Sequence, residues 1–298
     1  MTVDVVVVAW NSADDLPAML DSLPAAFGAV DYELVVVDNA SGDDSAALAA
    51  AREGTRLVRL ESNTGFTHAA NVGARLGHGD LLLFLNPDVV CPPASMARLV
   101  DALASRPEAW GATPWFRFPD GEPQYFWRRL VGGAVTVLCF TRWGKRLDAA
   151  LGHRAWRWRC YRDLPDPPGR RDIDGVGAAC LLVGRSAFTE AGGFDERYFN
   201  FFQDGHLERQ LRRQGRPLLG VGDVEVSHRA GSTLVRLPPW QVDAQMLLAL
   251  RQFVRDEPPL RRLLVEAAIR LDLWLPHPHR KDRRRAVLAP VRAPLHRG

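Results

Sequence analysis

The 298 residues contain no Cys-x-x-Cys pair; the four cysteines stand apart at 91, 139, 160 and 180, so neither a zinc ribbon nor a disulfide framework is expected. No Gly-x-Gly-x-x-Gly follows the first apolar run and no Gly-x-x-x-x-Gly-Lys segment occurs, which argues against a dinucleotide enzyme and a P-loop hydrolase. No basic segment precedes the run Val5–Val8, so no secretory leader is expected and the chain is read as cytoplasmic. Long hydrophobic runs are missing as well. Outside the strand-like segments the longest, Leu130 to Phe140, has eleven residues with two glycines, too short to cross a bilayer. Internal repeats are absent.

What is present is enough apolar surface, 47% of residues, for one extended α/β domain with an appended segment. Strand-like runs at 3–9, 33–37, 55–60 and 81–85 alternate with helix-like segments near 14–23, 43–52 and 67–76, the rhythm of a parallel sheet. A helix over 93–105 and an aromatic strand over 110–118 follow, and then periodicity fails. The stretch 119–171 is rich in Trp, Arg, Pro and Gly and reads as an insertion or lid. Strands resume at 177–183 and 223–227, with a helix near 205–214 between them. From Pro239 onward apolar residues recur at helical spacing, at Met246, Leu247, Leu250 and Phe253, then at Leu260, Leu263, Leu264, Ala267 and Leu271.

The net charge of +3 hides an asymmetry. Residues 124–171 hold eleven Arg or Lys against three Asp, and residues 279–298 hold seven against one, leaving the rest of the chain acidic. Either these are solvated loop and tail charges, or they attract a phosphate-bearing acceptor or an anionic membrane.

Candidate chemistry gathers where the parallel strands end, the edge at which open α/β sheets bind ligands. The most informative fragment is Leu81 to Val89, a buried strand delivering Asn86, Pro87 and Asp88. A carboxylate behind a φ-locking proline suits a divalent cation held against a diphosphate, although an ordinary Asn-Pro-Asp turn reads the same. After the first strand, Ala9 and Asn11 could meet a base edge. After the second, Asp38 and Asn39 place a carboxylate for a base or ribose donor, or an Asx turn leading into the next helix. After the third come Asn63, Gly65, where backbone could approach closely, and Asn71, an amide inside a helix that needs a ligand or a neighbouring loop to face. His228, at the end of a late strand, is a second candidate cation ligand or a structural histidine. Oxygen and imidazole together suit manganese, whereas magnesium leans on oxygen.

Taken in order, 35–41, Asn63–Phe66 with Asn71–Gly73, Asn86–Asp88, 175–188, 192–199 and 228–232 resemble family 2 glycosyltransferases, inverting enzymes of GT-A fold, and especially the bacterial rhamnosyltransferase-like branch. The resemblance covers about residues 3–232. It implies a nucleoside-diphosphate sugar donor contacted by Ala9, Asn11, Asp38, Asn39, Asn63, Gly65, Asn71, Asn86 and Gly177. It implies Mg2+ or Mn2+ on Asp88 and His228, a general base at Asp204, and a glycan or lipid-linked acceptor. The branch usually reads aromatic-Glu-Asp-x-Asp-Leu where this chain has Phe202-Gln-Asp-Gly-His-Leu207, so the first and third acids are replaced. A helix N-terminus would keep Asp204 ionised while weakening it as a base, and His206 is an alternative proton acceptor. On this reading 1–118 is the nucleotide-sugar-binding half, 119–171 the insertion or lid, 172–238 the catalytic and acceptor half, and 239–298 a helical extension with a basic tail.

Three alternatives stand beside it. A nucleotidyltransferase would carry a glycine-rich basic loop where Trp10-Asn-Ser-Ala13 lies. A degenerate GT-A protein would bind nucleotide-sugar or glycan without turnover, as Gln203 and His206 allow. The Arg-rich tail could bind phosphate polymers, but no recognition motif accompanies it, so no specific nucleic acid is expected. The Trp and Arg residues of 124–171 suit either peripheral contact with the inner face of the plasma membrane or a lid over a soluble acceptor.

Overall fold

The computed structural model describes residues 1–130, 134–231 and 237–288; Ser232 and the end of the basic tail, with Arg292 and Arg297, lie outside them. The strands are β1 (Val3–Ala9), β2 (Tyr32–Asp38), β3 (Thr55–Arg59), β4 (Leu81–Leu85), β5 (Val89–Val90), β6 (Gly111–Arg117), β7 (Pro123–Gln124), β8 (Trp127–Arg128), β9 (Arg170–Ile173), β10 (Gly175–Val176), β11 (Cys180–Gly184) and β12 (Leu218–His228). The main sheet runs β3-β2-β1-β4-β11-β6-β12-β5, and β8 pairs with β10 in a separate ribbon. The α/β class is as expected. From β3 to β4 every pairing is parallel, but β11 runs antiparallel to both β4 and β6. The reason is where the chain enters: Cys180, the first residue of β11, pairs with Leu85, the last of β4, so the strand must run back along its neighbour.

Alternation sorts β2 between two layers. Leu34 and Val36 join the core beneath the helix Leu16–Phe27, while Val35 and Val37 meet Ala69 of the helix Gly65–Ala74 on the other face. Strand β4 is buried at each of its five positions, and each leucine buried there contributes about 2 kcal/mol. A second core forms where the helices Pro239–Phe253 and Pro259–Trp274 pack with Ala134–Phe140 through Leu247, Leu250, Ile269 and Leu273.

Here the apolar spacing misleads. The stripe Leu260, Leu263, Leu264 and Leu271 lies in solvent, and the helix turns Val265, Ala268, Ile269 and Leu273 inward instead. The inward face is fixed by Asp272, fully buried and held by Arg283 at 2.8 Å and by the amide of Arg142 at 2.5 Å. A buried carboxylate with these partners selects one of two apolar faces that hydrophobicity alone leaves equivalent.

Asp4 is a buried charge that the apolar reading of β1 passed over. It accepts from the Gly79 amide at 2.9 Å and pairs with Arg185, tying the start of the sheet to the chain after β11. Replacing Arg185 by alanine strands that carboxylate, and we expect about 3 kcal/mol lower stability in urea unfolding. A loss below about 1 kcal/mol would mean that water takes the place of the guanidinium.

Candidate active site

The turn after β4 is closed by the Asn86 amide donating to the Ala179 carbonyl at 2.8 Å and the Val89 amide donating to Asn86 at 3.2 Å. Strand β5 then pairs with the end of β12, setting Val89 opposite His228. This register brings His228 Nε2 to 3.4 Å from Asp88 Oδ1, with both residues buried. On the other side of the ring, Nδ1 lies 2.6 Å from Gln124 Oε1, and the Gln124 amide donates to the His228 carbonyl at 3.4 Å. An amide oxygen only accepts, so Nδ1 carries a proton, and in the neutral ring the Nε2 lone pair faces Asp88. The edge of Phe126 packs on the same ring at 4.9 Å.

Asp204 enters from the first turn of the helix Gln203–Arg213. Its Oδ1 accepts from the Gly205 amide at 2.7 Å, its Oδ2 from the Ala178 amide at 3.3 Å, and Arg128 lies 3.8 Å from Oδ2. Asp88, His228, Asp204, Arg128 and Trp10 all line one cleft of about 680 Å³. His206, two residues on, projects elsewhere. It lines a second cavity of about 700 Å³ with Asn71 and Asp195, and its Nε2 lies 3.7 Å from Asp195. Burial holds its pKa below the ordinary histidine value even with that carboxylate beside it.

Asn39, Asn63, Asn86 and Gly177 line the cleft as well. Asp38 Oδ1 accepts from the Ser41 amide at 3.3 Å, closing the turn, while among the described residues buried Oδ2 has no hydrogen-bond donor and meets Arg59 at 3.5 Å. The helix that follows starts later, at Ser45.

Other expected donor contacts are engaged within the fold. Asn71 donates to the Phe194 carbonyl at 2.8 Å and accepts from the Phe194 amide at 3.0 Å, so its buried amide holds a neighbouring loop. Gly65, at φ +82°, makes room for Phe199, which a Cβ would meet at 2.5 Å. Asn11 caps the next loop by accepting from the Gly42 amide at 2.7 Å, and the Ala9 carbonyl accepts from the Asn39 amide at 2.8 Å beneath it. Even Asn39 spends its amide on Asn63 at 3.0 Å and on the Gly65 carbonyl at 3.2 Å, fastening two rim loops together.

The family model for glycosyl transferase family 2 matches residues 4–190, and those residues carry β1 to β11 and Asp88. The chain belongs to that family. Consistent with membership, it is 30% identical over 95% of its length to an N-acetylglucosaminyl-diphospho-decaprenol L-rhamnosyltransferase of Mycobacterium tuberculosis, covering 96% of that protein. Among solved structures the fold is similar to the mannosyltransferase PcManGT from Pyrobaculum calidifontis in complex with GDP-Man and Mn2+ (TM-score 0.57, 18% identity, 96% of this chain, 73% of that one). It is similar also to S. aureus TarS 1-349 in complex with UDP-GlcNAc (TM-score 0.55, 13% identity, 96% of this chain, 73% of that one). The chemistry common to the family is transfer of a sugar from a nucleotide-sugar to an acceptor.

In this family 2 protein the stretch expected as an insertion or lid supplies part of the cleft wall. Residues 123–126 and 128–130 line the site, Gln124, Phe126 and Arg128 among them, whereas Trp127 turns into the core, donating to the Pro114 carbonyl at 2.9 Å. No periodic signal marks them, because the strands here are two residues each. Trp127 and the partly buried Trp143 are thus packing residues, while Trp156 and Trp158 stay exposed.

Glu208 was also missed. It lies one turn beyond Asp204, fully buried, and accepts from the Val176 amide at 2.7 Å, pinning β10 and through it β8, which carries Arg128. Burial, and then the nearby Asp204 charge, push its carboxyl well above the ordinary range. The unfolded chain releases this proton near pH 4.3 while the folded protein retains it, so stability falls as pH rises between the two values. Glu208→Gln keeps the acceptor and removes the titration. We expect thermal melts of that variant to be flatter with pH and its melting temperature to exceed wild type at pH 8; parallel pH profiles would show that Glu208 is ionised in the fold.

Proposed function

We propose that this family 2 protein is an inverting, metal-dependent glycosyltransferase that moves a hexose, L-rhamnose being the sugar favoured, from a nucleoside diphosphate to a hydroxyl of a lipid-diphosphate-linked acceptor in cell-surface glycan synthesis. The observation that carries this is the meeting of Asp88 and His228 at 3.4 Å on the rim of the cleft that holds Asp204. The donor set fits a divalent cation: a carboxylate oxygen and an imidazole nitrogen whose tautomer is fixed from behind by Gln124. Among the described residues no third acidic, histidine or cysteine ligand joins them, which leaves coordination positions for diphosphate oxygens. When bound, the cation neutralises the leaving diphosphate. Asp38, whose buried Oδ2 still lacks a hydrogen-bond donor among the described residues, is assigned to the nucleoside, and Asp204 takes the acceptor proton as the hydroxyl attacks the anomeric carbon from the face opposite the leaving group.

The favoured sugar and acceptor class come from the mycobacterial relative's name, and Mn2+ in the mannosyltransferase complex supports the cation. The test is transfer from a panel of nucleotide-sugars, with and without Mn2+, to a synthetic N-acetylglucosaminyl diphosphoprenol. Transfer from thymidine diphosphate rhamnose with inverted anomeric configuration is expected. Hydrolysis or binding without transfer would favour the degenerate reading, and a retained configuration would overturn the displacement.

Such an acceptor lies in a membrane, and no helix among the described residues is long and apolar enough to cross one. We propose peripheral contact through the helix Pro259–Trp274. Its Leu260, Leu263, Leu264, Leu271 and Trp274 are each at least half exposed and fall on one stripe, with Arg261, Arg262 and Arg270 beside them. Apolar residues rimmed by arginine suit an anionic bilayer surface. Salt-sensitive flotation with anionic liposomes, lost in a Leu263→Ser, Leu264→Ser variant, is expected; a dimer in solution that dissociates in the same variant would assign the stripe to a second copy.

A further inference from the structure

Arg159 closes the short helix Arg154–Arg159 and lines the cleft at only 8% exposure. Its Nε is buried without a hydrogen-bond partner, and among the described residues no carboxylate pairs with the guanidinium. Among the described residues Asp204 acts on it through space without forming an ion pair, and rings and a like charge stand beside it. The Phe140 ring lies 4.7 Å from the guanidinium carbon and the Trp156 ring 5.8 Å, while Arg128 adds a like charge. Cys139 supplies no anion, since burial pushes its thiol up to about 11. Burial first, and then Arg128, lower the pKa of Arg159 itself. Ring faces compensate a desolvated cation only in part, whereas an oxyanion would satisfy both its charge and its donors.

Arg129, beside it in the cleft, is by contrast already committed, held by both oxygens of Asp163 at 3.0 and 3.1 Å. Arg128 spans the gap, 3.8 Å from Asp204 on one side and electrostatically coupled to Arg159 on the other. The cation without an ion-pair partner therefore stands, through Arg128, next to Asp204 in the cleft.

We propose that Arg159, aided by Arg128, is an anion subsite that holds the phosphate or diphosphate of the acceptor, with the Phe140 and Trp156 rings beginning the path of its apolar tail. The proposal rests on the transferase reading above and deepens it, by giving the acceptor's charged linker a place separate from the donor's diphosphate. Arginine suits the task because its planar fork binds phosphate oxygens two at a time and keeps its charge when desolvated.

The subsite is tested without turnover by titrating inorganic pyrophosphate into metal-free enzyme and following thermal stability. Wild type is expected to be stabilised, Arg159→Gln not, and Arg159→Lys partly. Arg159→Gln alone should melt no lower than wild type, because an unpaired buried charge has been removed. With turnover, its KM should rise at least about tenfold for a sugar diphosphoprenol and stay within twofold for the same sugar on an uncharged alkyl tail, a tenfold change being the weakest loss expected for one charge-assisted pair. Absence of a pyrophosphate response in the wild type overturns the proposal without recourse to any variant, and so does an equal KM change for both acceptors. A response abolished by prior saturation with thymidine diphosphate assigns the anion to the donor and overturns the acceptor role. If wild type transfers to neither acceptor while the pyrophosphate response holds, the anion site stands and the transferase reading falls.

Discussion

Asp204→Asn is expected to bind the nucleotide-sugar as wild type does and to turn it over about 10²–10⁴ times more slowly, the usual contribution of a positioned general base. The substitution is close to isosteric. Its remaining carbonyl keeps the bond from the Gly205 amide at 2.7 Å, and only the longer contact from Ala178 at 3.3 Å and the charge facing Arg128 are lost. Folding should therefore survive, which melting temperature will check, and donor affinity should survive because Asp88 and His228 are untouched. Single-turnover kinetics with saturating donor separate the two effects. Near-normal transfer would remove Asp204 from the chemistry. His206 would be a poor replacement, since its ring lines the other cavity beside Asp195.

The second large effect is expected at the cation. Asp88→Ala removes the one carboxylate that the turn after β4 brings to His228, and metal-dependent affinity for the nucleoside diphosphate should fall by more than the roughly 10–100-fold typical of losing an outer partner of a ligand. Calorimetric titration with and without Mn2+ measures this apart from activity. His228→Ala should weaken the metal dependence less, because the anion remains. Gln124→Ala should cost about tenfold, since it releases the ring without removing a ligand. Unchanged metal-dependent binding in Asp88→Ala would return the Asn-Pro-Asp segment to an ordinary turn, and an unaltered metal response in His228→Ala would return that histidine to packing against Phe126.

These two predictions join residues that were legible to different degrees. Asp88 and His228 stood out in the chain because a polar side chain ends an apolar strand in each case. That they touch was not legible, because it depends on the two-residue strand β5 pairing with His228, a register too short to leave a periodic trace. Gln124, Arg128, Arg159 and Glu208 carry no such mark. Each is a polar residue in a stretch without periodicity or on a helix face that looked solvated, and only the burial found in the fold distinguishes it. Asn71 and Gly65 show the converse. Both were correctly singled out as residues that need an unusual neighbour, and the neighbour is another part of the chain, Phe194 in one case and Phe199 in the other.

By itself the sequence determined the alternating α/β architecture, the buried identity of β4 and the edge at which polar side chains emerge, because these follow from local periodicity and from the residue types that end strands. The tertiary structure alone decided that β11 runs antiparallel, that Asp272 turns one face of the last long helix inward and leaves its leucines in solvent, and that the insertion forms a wall of the cleft. Those outcomes rest on contacts between residues far apart in the chain. Which of two apolar faces is buried, or which arginine finds a carboxylate and which does not, is settled by the partner that folding brings to it.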